Sequence, residues 1–363
     1  PSNAICLITL TPMTFRLTMP DQDAPRKPPR RFWLVAPYIL LGLAIIGWSA
    51  GWMVLKGQME QHMDRAAADL HKAGFQVAWK ERKVAGYPFR FYVILTEARL
   101  REPSGWALDM PVLKAEASAF RLKHWMIVAS DGAVVTRPVS GGLRVSGKAL
   151  RASFVATNAA LPRIAVEGVQ LIFTPEPGAR PFALSKAEKL EFHLVPGGKD
   201  EAALLFRLDG GKAAAGGLTA RLAGEKPVSV LWDSLLSQRD DLTGLDWPQA
   251  ARNWTEAGGT MTLRKGGITL GDASLGMGSG RLTVGVDGRL RGSLDAQLTK
   301  GSQALMAMGE TGLIEPNGAQ IAAAVVQARE LTNDGKSAQA TISFEAGRTT
   351  LGPVAIGLAP KVY

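Results

Sequence analysis

Cysteine is almost missing. Cys6 is the only one in 363 residues, and it precedes the one long apolar run. Everything after that run is without disulfides, thiol catalysis or cysteine-ligated metal, so its stability has to come from burial. Histidine is nearly as scarce. His62, His71, His124 and His193 stand apart, with no His-x-x-x-His and no glutamate beside a pair, which argues against a zinc hydrolase. No nucleophile elbow of the α/β-hydrolase kind is read. The P-loop pattern fails because Glu330 stands where its first glycine belongs, ahead of Gly335-Lys336-Ser337. Gly276-x-Gly278-x-Gly280 is one residue short of a dinucleotide fingerprint and reads as a turn between strands. Asp240-Asp241 reads as a solvated pair. Catalytic, metal and cofactor residues are therefore all assigned as none, with a carboxylate dyad built from distant residues left open. No basic cluster interleaved with aromatics suggests nucleic acid.

Charge is sparse as well, at 20% of residues, and between Phe32 and Leu55 it vanishes for twenty-four residues. At about 1.5 Å per residue, that stretch crosses a hydrocarbon core of about 30 Å. Arg26, Lys27, Arg30 and Arg31 precede it and only Lys56 follows closely. This asymmetry sets the N-terminus in the cytoplasm and the C-terminal three hundred residues outside. Phe32, Trp33 and Tyr38 near one end, with Trp48 and Trp52 near the other, suit the two interfaces. A cleaved signal peptide would have a shorter apolar core, of roughly 7–15 residues, and a small-x-small exit. A buried core helix would carry charge on one face. Met19 and the polar residues after it read as a disordered cytoplasmic segment, 1–31, ahead of a transmembrane helix, 32–55. The net charge is +10, of which residues 1–56 hold +4, leaving a mild positive bias compatible with anionic head groups.

Met59, Met63, Ala66 and Leu70 share a helix face, predicting a stalk over 56–74 that Gly74 closes and that packs on the sheet after it. The period then changes to two. Phe89, Phe91, Val93 and Leu95 alternate with their neighbours, as do Leu108 to Val112, Leu143 with Val145, and Ile164 with Val166. Val169 to Phe173, Leu190 to Leu194 and Leu204 to Leu208 continue a first β-rich region over 75–227. A tryptophan-rich interval, 228–257, reads as a helical insertion in two pieces, with Asp246 capping the second. Its Trp232, Trp247 and Trp254 are expected to cover an open sheet end. A second β-rich region, 258–363, has Leu282, Val284 and Val286 before an Asp287-Gly288 hairpin turn, and Leu290, Leu294 and Leu298 after it. Helices are expected over 302–309 and 320–332, and closing strands over 341–344 and 351–356. A weak likeness between the stretches starting at Gly141 and Gly280 suggests a duplication. The expected fold is mainly β (α+β): a transmembrane and stalk helix, then a large curved antiparallel sheet with a few covering helices.

Val84-Ala85-Gly86-Tyr87-Pro88-Phe89-Arg90-Phe91, Gly105-Trp106, and Pro111-Val112-Leu113-Lys114-Ala115-Glu116-Ala117 carry a resemblance. So do the segment from Ala257-Gly258-Gly259-Thr260 to Leu298 and the closing Leu351-Gly352-Pro353-Val354. Together they resemble the DUF2125 proteins of Alphaproteobacteria, which begin with a membrane anchor. More distantly, an anchor followed by a long β region is similar to AsmA-like envelope proteins, whose open sheet holds acyl chains. The basic flank, the missing catalytic motifs and the many strands with one apolar face needing cover together lead to the expectation of an inner-membrane, single-pass, non-enzymatic protein whose periplasmic β domain binds or shields lipid or another apolar envelope molecule in a groove. Phe89, Phe91, Leu282, Val284, Val286, Leu290, Leu294 and Leu298 are the candidate lining. Inner-membrane lipid is the expected partner, with no nucleic acid. The rival expectations are a scaffold or tether for an envelope protein partner and, third, an envelope hydrolase.

Overall fold

The computed structural model describes residues 32–157, 159, 161–244, 246–332 and 337–363. The expected disordered segment 1–31 lies outside them, as do Gly335 and Lys336. Contacts divide the chain into two units, Pro1–Ala50 and Gly51–Tyr363. The helix α1 (Phe32–Lys72) runs through both. In the first unit its Leu34, Tyr38, Leu41, Leu43 and Ile46 side chains are exposed, an apolar surface with no protein over it. By length and composition this is a helix able to cross a membrane, and the only one among the described residues.

The second unit is an antiparallel sheet, and strand makes up 48% of the structure against 26% helix. The strands up to the middle of the chain are β1 (Gln76–Ala78), β2 (Glu81–Ala85), β3 (Arg90–Arg101), β4 (Ala107–Ser118), β5 (His124–Ala129), β6 (Ala133–Arg137), β7 (Gly141–Ser146), β8 (Ala149–Val155) and β9 (Arg163–Pro175). Those beyond it are β10 (Leu184–Pro196), β11 (Ala202–Ala213), β12 (Val228–Leu236), β13 (Met261–Leu270), β14 (Ala273–Val284), β15 (Leu290–Thr299), β16 (Ala338–Glu345), β17 (Arg348–Leu351) and β18 (Val354–Leu358). Four helices occupy connections: α2 (Leu218–Ala223), α3 (Trp247–Glu256), α4 (Gly301–Glu310) and α5 (Pro316–Thr332).

The topology reduces to one rule. β1 and β2 lie end to end against β3, β5 and β6 end to end against β4, and β7 and β8 end to end against β9. Each such pair is one interrupted row, so the eighteen strands make fifteen rows. Every row hydrogen-bonds the rows next to it in sequence. Among the described residues no ladder joins β18 to β1 or β2, so the sheet stays open at both edges.

Several expectations are corrected. The first half of the tryptophan-rich interval is not helical: Val228–Leu236 is β12, a central strand bonded to β11 and β13. The two β-rich regions consequently join in one sheet, with the helical part of the interval confined to the β12–β13 connection. The second half is α3, where Asp246 accepts from Gln249 N at 2.8 Å and Pro248 sits in the first turn. Ile164–Val166 and Val169–Phe173 belong to one strand, β9, in which Gln170 (φ 50°) shifts the alternation by one. That left-handed residue, with the ladders in unbroken register on either side of it, returns Leu171 and Phe173 to the apolar side. Residues 351–356 are split by a turn at Gly352-Pro353 into β17 and β18. The suggested duplication fails on pairing, because β7 and β8 share a row whereas β14 and β15 pair as a hairpin.

Helices cover the two ends of the sheet. On one, Trp52 stacks on Phe91 (centroids 5.2 Å apart, planes 3° apart), with Leu55, Met59 and Met63 following onto Val84, Val93, Leu95 and Trp125. Arg82 fastens that part of α1 by an ion pair to Asp64 at 2.6 Å. Trp52 is therefore a packing residue, buried against the sheet, and not an exposed interface ring. At the other end α5 presents Ala322, Ala323 and Val326 to Ala296, Leu298 and Ala338, and Leu305 of α4 joins them. The buried Glu330 accepts from Gly301 N (2.7 Å) and Ser302 Oγ (2.8 Å), so α5 caps α4.

Candidate functional site

Residues directly opposite in an antiparallel ladder share a face, so register can be followed from row to row. One lane runs Val84, Val93, Ala115, Ile127, Ala152, Val166, Phe192, Phe206, Trp232, Gly266, Met277, Ala296, Ala340. A second, one pleat along, runs Phe91, Ala117, Trp125, Phe154, Ile164, Leu194, Leu204, Ser234, Leu263, Gly280, Leu294, Ile342, Leu351. A third runs Leu150, Gly168, Leu190, Leu208, Val230, Ile268, Leu275, Leu298, Ala338. No charged residue stands in any of them. At about 4.8 Å per row they extend on the order of 50 Å across the sheet.

The opposite face has another character. Its corresponding lane is Lys83, Ile94, Lys114, Val128, Arg151, Glu167, Glu191, Arg207. Arg151 pairs with Glu167, and Lys189 with Glu191, whose carboxyl is held below its usual range by that lysine's hydrogen bond. Exposed pairs of this kind are worth about 0–1 kcal/mol each and mainly keep the face wet.

The apolar face is packed at both ends and, in the middle rows, around Leu171, Phe173, Leu184 and Ala187; beside that cluster part of it is open. Ile127, Leu150, Ala152, Phe154, Ile164, Val166 and Phe192 belong to none of the packed clusters. Six are half-buried, and Phe154 is 38% exposed. These residues occupy β5, β8, β9 and β10, rows on which no helix makes an extended contact. The face then passes under α2 and α4, where an apolar cavity of about 240 Å³ opens. Ile268, Leu275 and Leu298 of the third lane form its floor, and Leu222, Leu305 and Met308 its roof. That exceeds the ~150 Å³ at which an apolar cavity stays dry yet accepts benzene.

Of the eight residues proposed from sequence, the structure packs Leu282, Leu290 and Leu294 together, with Val284 beside Leu290, and separates the others. Phe91 is fully buried beneath Trp52 at one end of the second lane. Phe89 lies before β3 in a turn and is 61% exposed, and Val286 lies in the β14–β15 loop at 90%. Leu282 and Leu294 are packed with Leu263 and Phe344, and Val284 with Leu236 and Trp254, with Leu290 against both groups. Leu298 alone lines the cavity. Sequence reasoning missed Ile127, Phe154, Ile164 and Val166 as one surface. The period-two alternation of Ile164 and Val166 is visible in the sequence, but the register that aligns the three strands is not.

Other candidates resolve simply. Gly276, Gly278 and Gly280 lie inside β14, not in a turn, and the first two border a hollow of about 730 Å³ with Lys265, Asp295, Gln297 and Arg329. Gly47-Trp48-Ser49-Ala50-Gly51 spells a nucleophile elbow in letters, which the sequence reading passed over. It lies within α1, and Ser49 Oγ donates to Ile45 O at 2.7 Å. An elbow needs a strand-to-helix turn, so the match carries no chemistry. Trp254 is buried and donates to Ser237 O, whereas Trp247 is exposed and donates to Val362 O. Among the described residues no three His, Cys, Asp or Glu side chains converge as metal ligands.

No curated protein and no solved structure is significantly similar to this chain. A family model does match, described as an uncharacterized protein conserved in bacteria (DUF2125), over residues 52–360. That span begins at the tryptophan that stacks on Phe91 and covers the whole sheet, and on it the chain belongs to the DUF2125 family.

Proposed function

We propose that the protein is a non-enzymatic carrier or shield for the acyl chain of a lipid, held on the apolar face of its sheet. In this reading α1 is an uncleaved anchor in the bacterial inner membrane, with the N-terminus in the cytoplasm and the sheet in the periplasm. The observation that carries it is the open middle of the lanes, from Ile127 to Phe192, on the same face as the residues that line the cavity under α4. Covering each ~200 Å² of such surface is worth about 5 kcal/mol, which an acyl chain supplies and water does not. The carriage needs no group to ionise and no bond to break. The Arg26, Lys27, Arg30 and Arg31 cluster supports the orientation.

A tether for an envelope partner draws less support, because Trp232 and Trp254 are spent on internal packing and Trp247 alone is exposed. The test is photocrosslinking of the full chain in native membranes. Benzoylphenylalanine at Phe154 or Phe192 should give lipid adducts, whereas the same group at His193, on the opposite face, should not. Equal yields at the three positions, or none at the first two, overturn the reading.

A further inference from the structure

The turns at 86–89 and 118–123 push large apolar side chains outward. Phe89 is 61% and Phe120 68% exposed, with Tyr87 and Leu122 exposed beside them. This is a built surface. The rings of Phe89 and Phe120 stack with centroids 6.4 Å apart, and Ala119 N donates to Phe89 O at 2.9 Å, tying the two turns together. Gly86 has φ 110°, and a Cβ there would lie 2.5 Å from Arg90 O, so the first turn closes too tightly for any other residue.

The position of this surface in the chain says what covers it. Tyr87 meets Trp52 edge-on at 5.6 Å, and Trp52 stands three residues before the end of the uncharged run. The aromatic turns are thereby fixed to the residue at which a membrane span would leave the hydrocarbon. Tyrosine and phenylalanine held out at that level match the interfacial zone of a bilayer. Arg121 and Lys123, both exposed in the second turn, add positive charge toward anionic head groups.

We infer that the turns 86–89 and 118–123 sit in the head-group region of the bilayer that the apolar run crosses, docking the sheet on its surface. The inference rests on the run being an anchor, and that premise fails separately, if alkaline carbonate extracts the full chain from membranes. The docking test uses the full chain carrying Cys6→Ser and a nitroxide at Leu122→Cys, in phosphatidylcholine vesicles with phosphatidylglycerol. The label should collide with oxygen and be shielded from a nickel chelate, while a control label at Lys199→Cys, in the exposed turn after β10, shows the reverse. Combining Phe89→Ser with Phe120→Ser should bring the Leu122 label to the control value without changing the circular dichroism. Nickel access at Leu122 equal to that at Lys199, or no response to the paired serines, overturns the docking. A depth unchanged when phosphatidylglycerol is omitted removes Arg121 and Lys123 from it.

Discussion

Phe89 and Phe91 are two residues apart and look equivalent in an alternating segment, yet truncating them should have very different effects. Phe91 has 0% of its surface exposed and lies flat against Trp52, in one cluster with Val84 and Val93. Removing such a ring loses its transfer energy and leaves a hole the neighbours close only in part, so Phe91→Ala should cost about 3–5 kcal/mol. The ring stack itself accounts for roughly 1 kcal/mol of that, readable as the coupling between Phe91→Ala and Trp52→Ala in a double-mutant cycle. A domain of this size loses roughly 2 °C of Tm per kcal/mol, so the midpoint should fall by about 6–10 °C. Phe89→Ala, at an exposed turn, should change stability by less than about 0.5 kcal/mol. Near-UV circular dichroism of the full chain in mild detergent, followed on heating, measures both. Equal shifts for the two variants, or less than 1 kcal/mol for Phe91→Ala, would refute the packing argument.

Two further outcomes follow from single contacts. Glu330→Ala should destabilise by about 1–3 kcal/mol, because it leaves the Gly301 amide at the start of α4 unpaired in a buried place, while Glu330→Gln should lose less; thermal melts of the two compare them. Hydrogen bonds from Lys226 first, and then Lys300, hold the Asp272 carboxyl at about 2 instead of 3.8. Because the folded value is depressed, its contribution is present above the unfolded value and disappears as pH falls through about 2. A carboxyl titration followed by NMR should therefore place its midpoint near 2, and Lys226→Gln should move it upward.

The class of fold was legible because alternation is local. Leu190, Phe192 and Leu194 mark a strand whatever lies beside them, and the Asp287-Gly288 turn was read as a turn. The β12 strand was misread because Leu231 and Leu235 point to the opposite face from Val230, Trp232 and Leu236, so apolar residues of both parities imitate a helix. Ser130-Asp131-Gly132 and Gly147-Lys148 carry turn chemistry, yet they interrupt a row without reversing it. Local signals distinguish a corner from a break poorly, since both need the same backbone freedom. The candidate site was the least legible part. It is a property of register across many rows, and Ile127 gives no sign by itself of standing opposite Ala152.

A pleated surface in which each row touches only its immediate predecessor and successor can be assembled in order, as a blind is let down slat by slat. Distant parts of the polypeptide never have to find one another before the early slats hold, a saving in loop closure that most all-β architectures lack. Its reach is also adjustable. Deleting any one hairpin would shorten the greasy track by about 10 Å and ask only the two flanking rows to pair anew.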